Sequence, residues 1–351
     1  MGCAPHYRIG KRTLPAVGGA LILIGVLLIA GSGNGTPSFG LPYLTDVGGK
    51  AFFVANDGTH WNELWVSDGT PGGTQMLTTT LNDGGFGPTQ LTNVNGTLYF
   101  TANDSVHGWE LWKSDGTPVG TTMVEDLNPN TLNGGGSVRV QSSSPQMPTN
   151  VNGTLFYVAT SAAEGDNGNG PWDLRTLGAG QSVLVKQLPH QFGHDLFALP
   201  TVSNGLLYFG NVDSNEINSH NGLWRSDGTA VGTFEIVSFN RGIGNNANNT
   251  NVPDHVLADV NGTLYFAAKV DPAGQTDFHD ELWKTNGTTA SLVHDFGDSY
   301  SRLDDFTNVN GELYFAAVGP SGSELWKSNG TNGGTVLLEH GIDYTQGILY
   351  V

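Results

Sequence analysis

Apolar and polar positions along this chain alternate in short runs that seldom exceed eight residues before a glycine, asparagine or aspartate interrupts them. In "TLYFTAN" and "ELWKSD" the alternation has the two-residue period of a strand with one buried face. No stretch after the N-terminal leader holds apolar residues at the three-to-four spacing of an amphipathic helix. The pattern predicts many short antiparallel strands joined by tight turns.

The runs repeat. "NVNGTLYF" at 93–100 returns as "NVNGTLFY" (150–157), "VSNGLLYF" (202–209), "DVNGTLYF" (259–266) and "NVNGELYF" (308–315), with a looser "DVGGKAFF" at 46–53. Between these copies stand "ELWVSDGTPGGT" (63–74), "ELWKSDGTPVGT" (110–121), "GLWRSDGTAVGT" (222–233), "ELWKTNGT" (281–288) and "ELWKSNGTNGGT" (324–335), and a decayed "PWDLRTLGAG" lies at 171–180. Trp65, Trp112, Trp172, Trp224, Trp283 and Trp326 mark a period of about 43 to 60 residues. Asn-Gly between two apolar runs demands positive φ at two successive residues and is a strong hairpin signal. Asp-Gly-Thr after the tryptophan reads as a second turn, because a short carbonyl side chain bonds back to the backbone there. Each unit therefore reads as four strands, a to d, with Asn-Gly between a and b and Asp-Gly-Thr between c and d. Four antiparallel strands at this period predict an all-β fold, a β-propeller. Six complete repeats are expected, at approximately 42–81, 88–127, 146–188, 198–238, 256–296 and 303–340, with a half-repeat at 341–351. The alternative is seven blades, closed with help from N-terminal residues.

These units resemble the ELWxxDGT repeat family of exported bacterial proteins, over nearly all of residues 42–351. The c–d turn also resembles the Asp-box of sialidase-like propellers. The resemblance implies a propeller in an exported setting and a structural role for Asp68, Asp115, Asp227, Asn286 and Asn329. It implies no particular biochemical activity.

Charge and the N-terminus narrow the setting. The formal net charge is −18 and the pI about 4.6; such a surface repels phosphate backbones and argues against nucleic acid. Residues 1–33 carry Arg8, Lys11 and Arg12 ahead of an uncharged apolar core, Leu21 to Ala30, as in a secretory signal peptide or an uncleaved signal anchor. Any contact with a membrane would run through this segment. Cleavage would remove the lone cysteine, Cys3, leaving a propeller domain (34–351) without disulfides that is secreted or surface-exposed. Calcium is the cofactor that the acidic loops leave open, with no residue assigned, since no EF-hand-like spacing is present. The oligomeric state stays open too.

The a–b and c–d turns fall on one face and hardly vary, whereas the b–c and d–a loops on the other face differ in every repeat. Variation confined to one face of a rigid scaffold marks a candidate binding surface for a glycan or a surface protein. His60, His107, His220 and His279 lie in or beside the b–c loops, four or five residues before the blade tryptophan, with Trp61, Trp109 and Phe278 as aromatic neighbours. Such aromatics suit ligand stacking. The histidines are candidate contacts for an acidic or sugar ligand, with local loop hydrogen bonds as the alternative, and a shared metal is not expected because loops of different blades stand too far apart to converge on one ion. Arg139, Arg241 and Arg302 occupy the d–a loops, and three arginines could clamp a carboxylate in a glycan-active hydrolase, lyase or lactonase. A third possibility is a structural spacer in an envelope or matrix. The sequence contains no G-x-S-x-G, H-E-x-x-H or phosphate-cradling loop, so binding without catalysis is the expected role.

Overall fold

The computed structural model describes residues 44–79, 87–129, 131–134, 137–140, 142–160, 172–178, 180–188, 196–212, 221–239, 243, 256–270, 279–300 and 302–341. Residues 1–43 and residues 342–351 of the expected half-repeat lie outside them, and with them the seven-blade alternative. Among the described residues six four-stranded antiparallel sheets follow one another, at 45–76, 89–125, 146–187, 196–239, 257–295 and 302–340. Each has the order a-b-c-d, and the first strands of successive sheets lie side by side. These are the six blades of a β-propeller, at the expected boundaries to within a few residues.

Blade 2 shows how the repeat encodes its strands: a, Thr89–Val94; b, Thr97–Asn103; c, Trp109–Ser114; d, Thr122–Glu125. Strand b buries Leu98, Phe100 and Ala102 at period two. They join Val47, Phe52, Leu64 and Val66 of blade 1, so the core lies between neighbouring blades. The phenylalanine of "LYF" pairs in register with the blade tryptophan: Phe53 with Trp65, Phe209 with Trp224, Phe266 with Trp283. In these three pairs the rings stack at 6.3 to 6.5 Å. Phe209, Trp224 and Phe266 are buried, and burial of each contributes about 1.5–3 kcal/mol.

The asparagines do more than turn the chain. Asn95, Asn152, Asn204, Asn261 and Asn310 have φ between 49° and 54°, each followed by a glycine at positive φ, the two-residue turn required by Asn-Gly. Asn95 Nδ2 also donates to the Gly153 carbonyl of blade 3 (2.8 Å), and Asn204 Nδ2 to Gly262 of blade 5 (2.6 Å). The asparagine two residues earlier makes a second link: Asn150 Nδ2 donates to the Asn93 carbonyl at 2.8 Å, while Asn150 Oδ1 accepts the Gly153 N–H. The sequence pattern N-V-N-G thus joins hairpins of adjacent blades as well as shaping each one.

The c–d turn is closed internally. Asp115 Oδ1 accepts from the Thr117 N–H (2.9 Å) and hydroxyl (2.7 Å), Thr117 Oγ1 accepts from the Gly120 N–H (3.0 Å), and the Ser114 and Thr121 hydroxyls bond at 2.8 Å. Asp68, Asp227 and Asn329 repeat this network, and Asn286 keeps its first half. The threonine hydroxyl, then the backbone N–H, hold the Asp68, Asp115 and Asp227 carboxyls below the usual range. The cation after the tryptophan adds an inter-blade contact, since Arg225 donates to the Gly287 carbonyl and Lys284 to that of Gly330.

Blade 3 corrects one reading. Trp172 pairs with Thr160, whereas Tyr157, which aligns with Phe100, pairs with Arg175. Asp173-Leu174-Arg175 therefore occupies the place of Glu-Leu-Trp, and Trp172 stands three residues ahead of the repeat position it was expected to mark. Arg175 donates to Asp173 (3.1 Å) and to the Ser182 hydroxyl (2.6 Å), a buried polar contact set where other blades stack a tryptophan. A second difference lies between blades 2 and 3, where the long d–a loop contains a hairpin, Thr131–Gly134 paired with Ser137–Val140.

Candidate functional site on the variable loop face

Two of the sequence-selected histidines belong to one local motif. In Asn56-Asp57-Gly58-Thr59-His60 the Asp57 Oδ1 accepts the backbone N–H groups of Thr59 (2.8 Å) and His60 (2.7 Å), while Oδ2 meets His60 Nδ1 at 2.8 Å. Asn103-Asp104-Ser105-Val106-His107 repeats it, with Asp104 Oδ2 and His107 Nδ1 at 2.6 Å. The His60 hydrogen bonds pull the Asp57 carboxyl down to about 2, and the Asp104 hydrogen bond pushes the His107 imidazole up. A short acidic side chain accepting two successive backbone donors fixes each loop in a single turn geometry. Each histidine holds its loop through Nδ1, while its side chain stays 36% exposed in His60 and 39% in His107.

What those loops present is aromatic. Trp61 is 57% exposed and Trp109 37% exposed, with Val106 beside the latter. They stand on the b–c side of neighbouring blades 1 and 2. The Trp109 backbone is clamped to the d–a loop, since its N–H donates to the Ser142 hydroxyl (2.9 Å) and its carbonyl accepts from the Ser144 N–H (3.0 Å). Its ring lies over Gly87, where an added Cβ would come within 3.3 Å. An exposed indole on a doubly anchored backbone is a preorganised surface for an apolar or carbohydrate face.

A buried carboxylate not singled out in the sequence recurs on strand c of four blades. The Glu of Glu-Leu-Trp is buried in blades 1, 2 and 6 as Glu63, Glu110 and Glu324, and Asp173 takes its place in blade 3. Glu110 is fully buried and accepts the Ser143 N–H at 2.8 Å and the Ser143 hydroxyl. Glu63 accepts from Thr78 at 2.6 Å, and Glu324 from its own blade's Trp326 Nε1 at 2.9 Å. Burial pushes the Glu110 carboxyl up to about 7. A raised carboxyl near a loop face often signals chemistry. Here Glu110 and Glu63 both hold a d–a loop hydroxyl, of Ser143 and Thr78, which assigns them to anchoring that loop on strand c, whereas Glu324 holds the blade tryptophan. The signal available in the sequence was a charged residue repeated at an inward-facing strand position.

The other selected residues separate. Arg302 is paired with Asp304 two residues along its own strand. His220, Arg241 and Phe278 lie outside the described residues, and Arg139 sits on the inserted hairpin's second strand. His279 is unlike His60 and His107, being buried at 4% exposure against the d–a loop of blade 5.

No family model matches the chain, and no curated protein matches it. Among solved structures it is similar to the β-propeller domain of the trilobed protease from Pyrococcus furiosus, at 13% identity over 87% of this chain and 85% of that one, TM-score 0.46. It is also similar to the computationally designed Ika8 protein (14% identity, 85% and 73% covered, TM-score 0.44). A third is an oligogalacturonate lyase in complex with manganese (13%, 86% and 77%, TM-score 0.45).

Proposed function

We propose that this protein is an exported, non-catalytic binding propeller that holds a glycan or a surface protein on its b–c/d–a loop face. The observation that carries the reading is the exposure of Trp61 and Trp109 on neighbouring blades, each following a loop locked by an Asp–His contact. Rigid loops do not lose much entropy on binding, so a modest aromatic surface suffices for affinity. A large acidic charge favours partners that are neutral or cationic. The glycan-active alternative gains no support from Arg302, whose guanidinium is engaged with Asp304.

The test is retention of the purified chain on a glycan panel and on a panel of immobilised surface proteins, with Trp61→Ala and Trp109→Ala beside the parent. Saturable retention without product release, weakened by both substitutions, supports the reading. Retention indifferent to both indoles, or turnover of a bound glycan, overturns it.

A further inference from the structure

At the start of strand c in blade 5, His279 is 4% exposed, and neither ring nitrogen has a hydrogen-bond partner. Both nevertheless face carboxylates. Nε2 lies 3.1 Å from Asp295 Oδ1 and 3.9 Å from Glu281 Oε1, and Nδ1 lies 3.2 Å from Asp298 Oδ1. The acids arrive by separate routes. Glu281 is two residues along the same strand, Asp295 is its direct partner on strand d, and Asp298 belongs to the d–a loop. Two of them are already oriented: Glu281 Oε2 accepts from Trp283 Nε1 at 2.8 Å, and Asp295 Oδ1 from the Gly297 N–H at 2.8 Å.

A buried imidazole whose nitrogens face carboxylates at 3.1 and 3.2 Å without hydrogen-bond geometry is poorly satisfied, which costs stability. A cation between Nε2 and the two carboxylates would remove that cost. One atom each from His279, Glu281 and Asp295 lies within 4.8 Å of the others. Ligand atoms around a tetrahedral ion with ~2 Å bonds stand about 3.3 Å apart, so small side-chain shifts close the set. Asp298 on Nδ1 supplies the carboxylate–histidine contact that fixes the tautomer of a metal-binding imidazole.

We propose that His279, Glu281 and Asp295 bind a divalent transition-metal ion of the zinc type, with Asp298 as the carboxylate that orients His279. One imidazole and two carboxylates suit such an ion better than calcium, which takes six to eight oxygens. The Asp295 and Asp298 side chains are 54% and 48% exposed, so the site is open to ions from solvent. Blade 5 alone has the full set. Blade 4 has His220 in place of His279 but Gly222 in place of Glu281, and blade 6 has Glu324 but Gly322 in place of His279.

The full chain, stripped with a chelator, would be titrated separately with Zn2+, Mn2+ and Ca2+ by calorimetry, with tryptophan emission followed because Trp283 holds Glu281. One tightly bound Zn2+ per chain is expected, with a rise in melting temperature and a change in emission. Asp295→Asn alters an exposed side chain and should keep the fold while weakening Zn2+ by at least about tenfold. His279→Gln should weaken it further; should that variant fail to fold, Asp295→Asn carries the test. Asp46→Asn, in the first a–b turn, should leave the affinity unchanged. Equal Zn2+ affinity in the parent and Asp295→Asn overturns the assignment. So does a preference for Ca2+, or no saturable binding of any of the three ions.

Discussion

Glu110 accepts a 2.8 Å hydrogen bond from the backbone N–H of Ser143, 33 residues away, and both residues are fully shielded from water. A carboxyl placed there keeps its proton until about pH 7, against 4.5 for an ordinary glutamate. Between those two values the unfolded chain has lost the proton and the folded chain retains it. Stability from this group is therefore complete below pH 4.5 and declines as pH rises toward 7. The full decline is about 3 kcal/mol, at 1.36 kcal/mol per pKa unit. Glu110→Gln should flatten that part of the profile, so that the variant gains on the parent between pH 4.5 and 7.5. Urea unfolding of the pair across this range reads the effect, and parallel profiles would refute it.

Asn204 combines a turn at φ 49° with a 2.6 Å bond to the Gly262 carbonyl of the next blade. Asn204→Gly keeps the backbone conformation and loses only the bond, for an expected cost of about 1 kcal/mol. Asn204→Ala also places a Cβ in the left-handed region and should cost roughly 1–2 kcal/mol more. Equal losses for the two variants would show that the φ requirement is unimportant at this site.

Gly72 and Gly73 are neighbours with opposite tolerance. A Cβ on Gly72 meets nothing within 4 Å, whereas one on Gly73 would stand 2.0 Å from Asp68 Oδ1. Asp68 cannot swing away without losing both Thr70 hydrogen bonds. Gly73→Ala should destabilise by roughly 2 kcal/mol and Gly72→Ala by less than about 0.5 kcal/mol. Thermal unfolding of the two single variants settles it.

Trp61 is the cleaner probe of the loop face, since it is the more exposed of the two indoles. Trp61→Ala should leave the melting temperature within about 2 °C of the parent, as expected of surface substitutions away from packed sites. It should weaken ligand retention between about two- and tenfold, the range of an aromatic stacking contact. Asp57→Ala, which frees the loop without touching the indole, should also weaken retention. If it does not, loop rigidity plays no part in binding.

The local elements were readable along the chain because their causes are local. Asn95-Gly96 needs positive φ at two residues whatever surrounds it, Asp115 folds back on Thr117 two residues on, and Leu98 and Phe100 share a face through the pleat alone. Repetition then turned one hairpin signal into an architecture of six blades. The loop motif holding His60 and His107 was just as local, and "NDGTH" and "NDSVH" spell it out. Tertiary structure decided whatever depends on register or on a neighbouring blade. Trp172 resembled its counterparts in spacing, but strand pairing gave the position to Arg175, because register follows from which face is buried and not from the nearest tryptophan. The same asparagines that shape the turns turned out to bind the next blade, at a separation of more than 50 residues. The three described histidines of the four at similar positions met different fates for the same reason. His60 and His107 found an aspartate within three residues, while His279 met Asp295 and Asp298 only once the fourth strand and the loop after it had folded back over the third.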